Sequence, residues 1–460
     1  MKNKMNKKTA ALILALLMLA PSLASCAPKS VSCPTGGDDE ENTVGGSVKE
    51  RDTDTDKNTG NTETDELPET GHEYKAEPLS DGELVSAEYT GVDSTVIADF
   101  SLKLLETSRK SGENTLLSPL SVMYALGMSA EGARGNTLTQ MEDAFGTDKD
   151  SLADSLVSLR ATFESKLNGD NKKYASIANS IWVKNSGFTP NADFIERNRR
   201  TYSADIFSAD FDDSTKDDIN YWVSWNTFGK IKDIVDEIPD NAVMYLVNTV
   251  YFDCEWNEKY YEYSVRERDF TDADGNKTKV DMMHSDEHFY IEGDGFTGFI
   301  KPYEGGNYGF AAILPDEDKT VGDVLSSLDG GELVSLLSSP KTNGIVYAAM
   351  PKFTYDYDIE LSEPLISLGM SDAFDKSLAD FSGLGTADGN IYISRVLHKT
   401  HIEVAEGGTT AAAATAVEMV NESVALYENE WEVTLDRPFV YVIYETKDHT
   451  PLFVGTYEKP

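Results

Sequence analysis

"AEGGTTAAAATAVEMVNESV", Ala405 to Val424, is the stretch on which the reading of this chain turns. Two glycines, Gly407 and Gly408, lead into a run made only of Thr and Ala from 409 to 416, and a more apolar segment follows. The alanines favour helix by propensity, and the composition would equally suit a loose linker. Neither accounts for the flanks. "ISRVLHKTHIEV" before it and "RPFVYVIYE" after it are rich in β-branched and aromatic residues and read as strands.

Working outward, the chain has 460 residues, 40% of them hydrophobic, which is enough for a sizeable core. Eighty acidic residues stand against 40 basic ones, a formal charge of -40. Nucleic acid is excluded as a partner, since phosphate neutralisation needs Lys and Arg, and so is electrostatic docking on anionic lipid. The cysteines are Cys26, Cys33 and Cys254, which form neither a disulfide framework nor a metal-ligand spacing. No HExxH pair, P-loop, GxGxxG or GxSxG elbow is present, so no catalytic constellation, metal or cofactor is expected.

The N-terminus is a targeting segment. Lys2, Lys4, Lys7 and Lys8 precede "AALILALLMLA", an apolar run too short to span a bilayer comfortably. "LASC", Leu23 to Cys26, resembles the bacterial lipobox. It implies a signal peptide over 1–25, lipidation of Cys26 and a mature chain beginning there. An ordinary secretory signal cut nearby is the alternative, and export follows either way. Residues 26–88 are dense in Asp, Glu, Thr, Gly and Asn and read as a disordered acidic tether. Cys33 lies in it, without an assigned role.

Residues 89–460 carry the periodicity of a fold. Val96, Phe100, Leu104 and Leu105 fall at helical spacing, with Ser94 as the expected cap and Gly112 beyond the end. A short strand, Thr115 to Leu117, meets Pro119 at a helix start. "YASIANSIWVK", "AVMYLVNTVYFDCEW", "YGFAAILPDE" and "GIVYAAMPKFTYDYDIEL" read as strands, and the last 24 residues as a hairpin. "DADGN" within "RDFTDADGNKTKVDMM" lacks the carboxylates of a calcium loop and is read as a hairpin turn. Cys254, beside Trp256, is read as a buried, inert thiol. Helices come mostly first and strands later, which predicts an α+β fold.

Taken together these segments resemble the serpin family. The motifs are "NTLLSPLSVMYALGMSAEGARGNTLTQM", "INYWVSWNTFGKIKDIV", "MYLVNTVYFDCEW", "MPKFTYDYDIELSEPLISLGMSDAFDKSLADFSGL", "ISRVLHKTHIEVAEGGTTAAAATA", "RPFVYVIYE" and "PLFVGTYEKP", in the family's order. The resemblance implies a serpin fold: a large mixed sheet, two smaller sheets, surrounding helices and an exposed reactive loop able to insert as an extra strand. It implies a protease inhibitor rather than an enzyme. The target it implies is a serine-type protease, with cysteine proteases as a second class, expected to be trapped as a covalent acyl complex by a monomeric inhibitor. A non-inhibitory serpin acting as binding protein or substrate, or a tethered adhesin, are the alternatives.

The opening stretch then becomes the hinge and reactive loop. The hinge maps to Glu406, Gly407, Gly408, Thr409, Thr410, Ala411, Ala412, Ala413, Ala414 and Thr415, expected to be exposed before insertion. As a strand, Thr409, Ala411, Ala413, Thr415, Val417 and Met419 would share one small, apolar face, and Glu418 would fall on the other. Where the family usually has Glu, Lys or Arg, this chain has Gly407, which implies a looser hinge. Family spacing puts the reactive bond at Glu422–Ser423, which suits a Glu-preferring protease. Met419, Val420, Asn421 and Val424 mark competing bonds for an elastase- or subtilisin-like one. Ser118, Ser121, Asn248 and His398 match the shutter beneath the parting strands, and Trp256 matches the breach above them.

Overall fold

The computed structural model describes residues 72–79, 87–166, 175–409 and 427–460, all within one compact unit, Thr64–Pro460. Four helices open the fold: α1 (Ser94–Ser108), α2 (Pro119–Ala130), α3 (Gly135–Phe145) and α4 (Lys149–Lys166). Phe100, Leu104 and Leu105 are buried on α1 as their spacing predicts. Its cap, however, is Asp93, whose carboxylate accepts the Val96 N–H, because the Ser94 hydroxyl donates to the Asp448 carbonyl instead. Ser118 caps α2, and Pro119 occupies its first turn, where no backbone hydrogen bond is lost.

The remaining chain builds sheets around these helices. A six-stranded sheet runs in the order β10 (Phe289–Gly293), β11 (Phe296–Pro302), β12 (Tyr308–Pro315), β19 (Phe439–Glu445), β20 (Thr450–Tyr457) and β2 (Thr115–Leu117). Every residue of β12, β19 and β20 is buried, so the C-terminal hairpin is the centre of the core. A second sheet joins β18 (Asn429–Thr434), β13 (Gly344–Pro351), β9 (Lys277–Glu287) and β8 (Val265–Thr271). Its β8–β9 connection is the expected turn: the Asp272 carboxylate accepts the N–H groups of Asp274 and Asn276, and Gly275 takes φ +83°. A two-stranded ribbon pairs β4 (Phe188–Pro190) with β15 (Gly385–Ala387).

The expected large sheet is present as two halves. One runs β1 (Glu77–Pro78), β5 (Asp205–Ala209), β3 (Ala175–Lys184) and β6 (Met244–Phe252). The other runs β14 (Phe353–Glu360), β16 (Leu397–Val404), β17 (Gly408–Thr409) and β7 (Cys254–Glu255). Since β7 continues the line of β6, the two halves meet, among the described residues, at β17. Below it, β6 and β16 do not pair.

Helices α5 (Ala192–Tyr202) and α6 (Asp213–Asn226) lie in the segments between strands of the first half. Helix α6 covers the first half-sheet through a separate apolar cluster containing Ile219, Trp222, Val223, Trp182 and Val247.

Part of the stretch read as tether is docked rather than loose. Residues 77 and 78 pair antiparallel with Ser208 and Phe207, and Ala76 is buried. Asp218 of α6 accepts the N–H groups of Lys75 and Ala76 at 2.9 and 2.8 Å, and His72 Nε2 lies 2.6 Å from its other oxygen. Tyr74 stacks on Phe207. "HEYKAEPL" thus carries Tyr74 and Ala76, which pack into the apolar cluster beneath α6.

Candidate functional site

The junction of the two half-sheets is where the hinge sits. Thr409 pairs with Val404 on one side and with Cys254 on the other, and Gly408 faces Glu255. Thr409 is 2% exposed, and its hydroxyl lies 2.5 Å from the Tyr303 phenol. This corrects the expectation of a hinge exposed before insertion. Gly407, Gly408 and Thr409 are buried, because a polar but compact Thr at this register fits beneath the sheet against Tyr303. Burial on this face is what the alternation predicts for Thr409. Its companions from 410 onward lie outside the described residues.

Upstream of Gly408 the chain is held by a cluster of aromatic and charged groups. Trp256 is 1% exposed, and its indole N–H donates to the Ala405 carbonyl at 2.8 Å. The backbone N–H groups of Trp256 and Tyr260 donate to the carbonyls of Gly407 and Glu406, both at 3.0 Å. The Trp256 ring stacks on Tyr303 with centroids 4.4 Å apart. The Glu406 carboxylate meets Lys352 at 2.9 Å. Partial burial pushes that carboxyl up, but the Lys352 ammonium outweighs it and leaves the group below its ordinary value. Burial also holds the Tyr303 phenol well above its ordinary range, so it stays protonated beside Thr409.

Below the hinge lies a cavity of about 480 Å³ between β6 and β16, roofed by the segment after α6. Ser118, Ser121, Asn248 and His398 all line it, so the structure brings the four predicted shutter residues together. The Ser118 backbone N–H donates to His398 Nε2 at 3.0 Å, and the Ser118 hydroxyl donates to the Leu452 carbonyl. This requires a neutral imidazole with a bare Nε2. Burial enforces it by pushing His398 down to about 4. Asn248 donates to Asn179 Oδ1 at 2.7 Å, while its own buried side-chain oxygen has no partner. That oxygen is unmet hydrogen-bonding capacity at the floor of the cavity.

Reasoning from sequence missed Tyr303, Tyr260, Lys352 and Asn179. Each acts through a contact distant in the chain, and no local spacing announces it. Cys254 is buried as expected, though its strand position opposite Thr409 was not foreseen. Among the described residues no group of three or more His, Cys, Asp or Glu side chains is placed to hold a metal ion. Cys26, Cys33, Thr410 to Thr415, Met419, Val420, Asn421, Glu422, Ser423 and Val424 lie outside the described residues.

The structure thus shows a sheet divided below a seated hinge, with a cavity between β6 and β16 beneath it. The chain belongs to the serpin family: the serpin (serine protease inhibitor) family model matches residues 95–460. Members are mostly inhibitors of proteases rather than catalysts. An uncharacterised serpin-like protein of Methanosarcina acetivorans is 30% identical over 374 residues, 78% of this chain and 84% of that protein. Human neuroserpin is 30% identical over 380 residues, 79% of this chain and 91% of its own length. Among solved structures, the thermophilic serpin tengpin in its native state is 42% identical, with a TM-score of 0.77 over 84% of this chain and all of that one. Its latent state is matched less closely, with a TM-score of 0.70 over 81% of this chain.

Proposed function

We propose that this chain is an inhibitory serpin that traps serine-type proteases by loop insertion. The observation that carries this reading is β17, which already occupies the top of the gap between the half-sheets while the space below it is open. The target protease attacks the reactive loop as substrate, and its nucleophile forms an acyl-enzyme with the loop. Cleavage frees the chain beyond Thr409 to continue down between β6 and β16. At ~3.3 Å per residue, about fifteen residues from Gly408 to Glu422 span roughly 50 Å, enough to carry the protease across the sheet and distort it. The driving free energy is the ladder hydrogen bonding and buried area that the divided sheet forgoes, so the uncut protein is held by kinetic rather than equilibrium stability.

The reactive bond is Glu422–Ser423 or one of its neighbours, and a protease pocket discriminates by matching one side chain. Glu422 suits a Glu-preferring protease, while Val420 and Val424 suit elastase- or subtilisin-like ones. The inhibitor acts as a monomer. It is exported and lipid-anchored at a bacterial cell surface through Cys26, with residues after Cys26 as a tether. The Thr/Ala hinge argues against a substrate or binding role, since small residues offer the least resistance to insertion.

The test is incubation with a panel of Glu-preferring, elastase-like and subtilisin-like proteases, followed by denaturing gels. A covalent complex at the summed mass is expected. Mass spectrometry of the small C-terminal fragment identifies the bond, with a start at Ser423, Asn421 or Ala425 expected. Cleavage without any complex across the panel would overturn the inhibitory reading, and so would stable trapping after a cut before Thr415.

A further inference from the structure

Behind the hinge lies a buried ion pair. Lys301 on β11 and Glu287 at the end of β9 meet at 2.6 Å, with their side chains 1% and 6% exposed. The Ser285 hydroxyl donates to the same carboxylate oxygen at 2.6 Å. The Lys301 ammonium lies 4.4 Å from the centre of the Tyr260 ring and 5.8 Å from that of Trp256. A buried ion pair is a poor source of stability, because desolvation of both charges offsets their attraction, and apolar residues of similar volume often serve as well. Its position is more telling than its energy.

Tyr260 and Trp256 are the residues whose N–H groups hold the carbonyls of Ala405, Glu406 and Gly407. On the other side, Glu287 pairs with Val346 of β13, and β13 pairs in turn with β18. Strand β18 is the first one after the reactive loop. The pair therefore joins the sheet that receives the loop's C-terminal end to the aromatic clamp that grips its N-terminal root. Cation–π attraction strengthens when the cation is desolvated, as it is here.

We infer that Lys301 and Glu287 are positioning residues for loop insertion: together they fix the Trp256–Tyr260 clamp on Ala405–Gly407, so that the inserting strand starts in register from Thr409. The inference rests on the insertion reading above. With the clamp slack, the root of the strand slips, insertion slows, and more of the acylated protease escapes by hydrolysis.

The test uses the full chain with Lys301→Met/Glu287→Met, which keeps volume and removes both charges, and separately Tyr260→Leu, which keeps the ion pair and removes the ring. The first readout is hydrogen exchange at the Trp256 and Tyr260 amides, which does not depend on any protease being trapped. The second is the rate at which loop-nicked protein acquires heat resistance. Both variants are expected to exchange these amides and insert at rates changed by at least about tenfold, the factor that ~1.4 kcal/mol makes, with exchange faster and insertion slower. Uncut double variant is expected to melt within a few degrees of wild type, as apolar replacement allows. Wild-type exchange at both amides in both variants would overturn the inference. So would faster exchange with an unchanged insertion rate. If wild type itself neither traps a protease nor gains heat resistance on nicking, the inhibitory reading fails, and the exchange result still decides whether the pair holds the clamp.

Discussion

Replacing Thr409 with arginine tests whether the seated hinge is the first step of insertion. At this site the side chain is 2% exposed and its hydroxyl meets Tyr303 at 2.5 Å. An arginine that stayed in β17 would bury an unpaired guanidinium, at several kcal/mol. Leaving the sheet is cheaper. Eviction orphans the Tyr303 hydroxyl, at about 1–3 kcal/mol, and gives up strand pairing worth about 1 kcal/mol net. We expect the uncut Thr409→Arg protein to lose about 2–4 kcal/mol in all, a fall in Tm of several degrees at ~2–4 °C per kcal/mol for a large domain. Insertion after cleavage must return residue 409 to the same buried place, so the variant should be cut as a plain substrate. Thr409→Val, which keeps the shape and loses only the hydroxyl, should still insert. The assay pairs denaturing gels of protease mixtures with thermal melts before and after a single loop nick. Undiminished trapping by Thr409→Arg, or full heat resistance after its nicking, would refute the reasoning.

Loop-nicked wild type should resist melting far beyond the uncut protein, because the new strand completes the divided sheet. Equal melting temperatures before and after one nick exclude insertion. Acid should weaken the uncut protein through His398. Burial depresses its folded value to about 4 against 6.5 unfolded, so below pH 6.5 the unfolded chain takes up a proton that the folded one refuses. Stability present above pH 6.5 is lost as pH falls toward 4, by ~3 kcal/mol at most, and the fall should be smaller by that amount in His398→Gln denaturant titrations. Asp218→Ala removes the acceptor of the Lys75 and Ala76 N–H groups and the partner of His72. Exchange at those two amides should rise well above wild type while the β19–β20 core stays protected, and unchanged protection would show that the Tyr74 stacking alone holds the segment.

Much of this protein was legible in the chain itself, for a local reason. Pro119 after Ser118, the Asp-Gly turn at Asp274–Gly275 and the β-branched and aromatic run Phe439–Tyr444 of β19 are signals within a few residues, and each produced the element it announced. Thr409 likewise faces the side that alternation assigns. The order of motifs was enough to name the family and with it the α+β fold. Tertiary structure alone decided that Gly408 and Thr409 are already seated, because Tyr303 and Cys254 approach them from two distant parts of the chain. It also decided that "HEYKAEPL" docks on α6 and β5: its hydrogen bonds run to Asp218, about 140 residues away, and no local pattern encodes that acceptor. The buried Lys301–Glu287 pair shows the same limit. A lysine between Ile300 and Pro302 reads as solvent-facing by its chemistry, and only the meeting of β9, β11 and the Trp256–Tyr260 clamp supplies the counter-charge and rings that let it be buried.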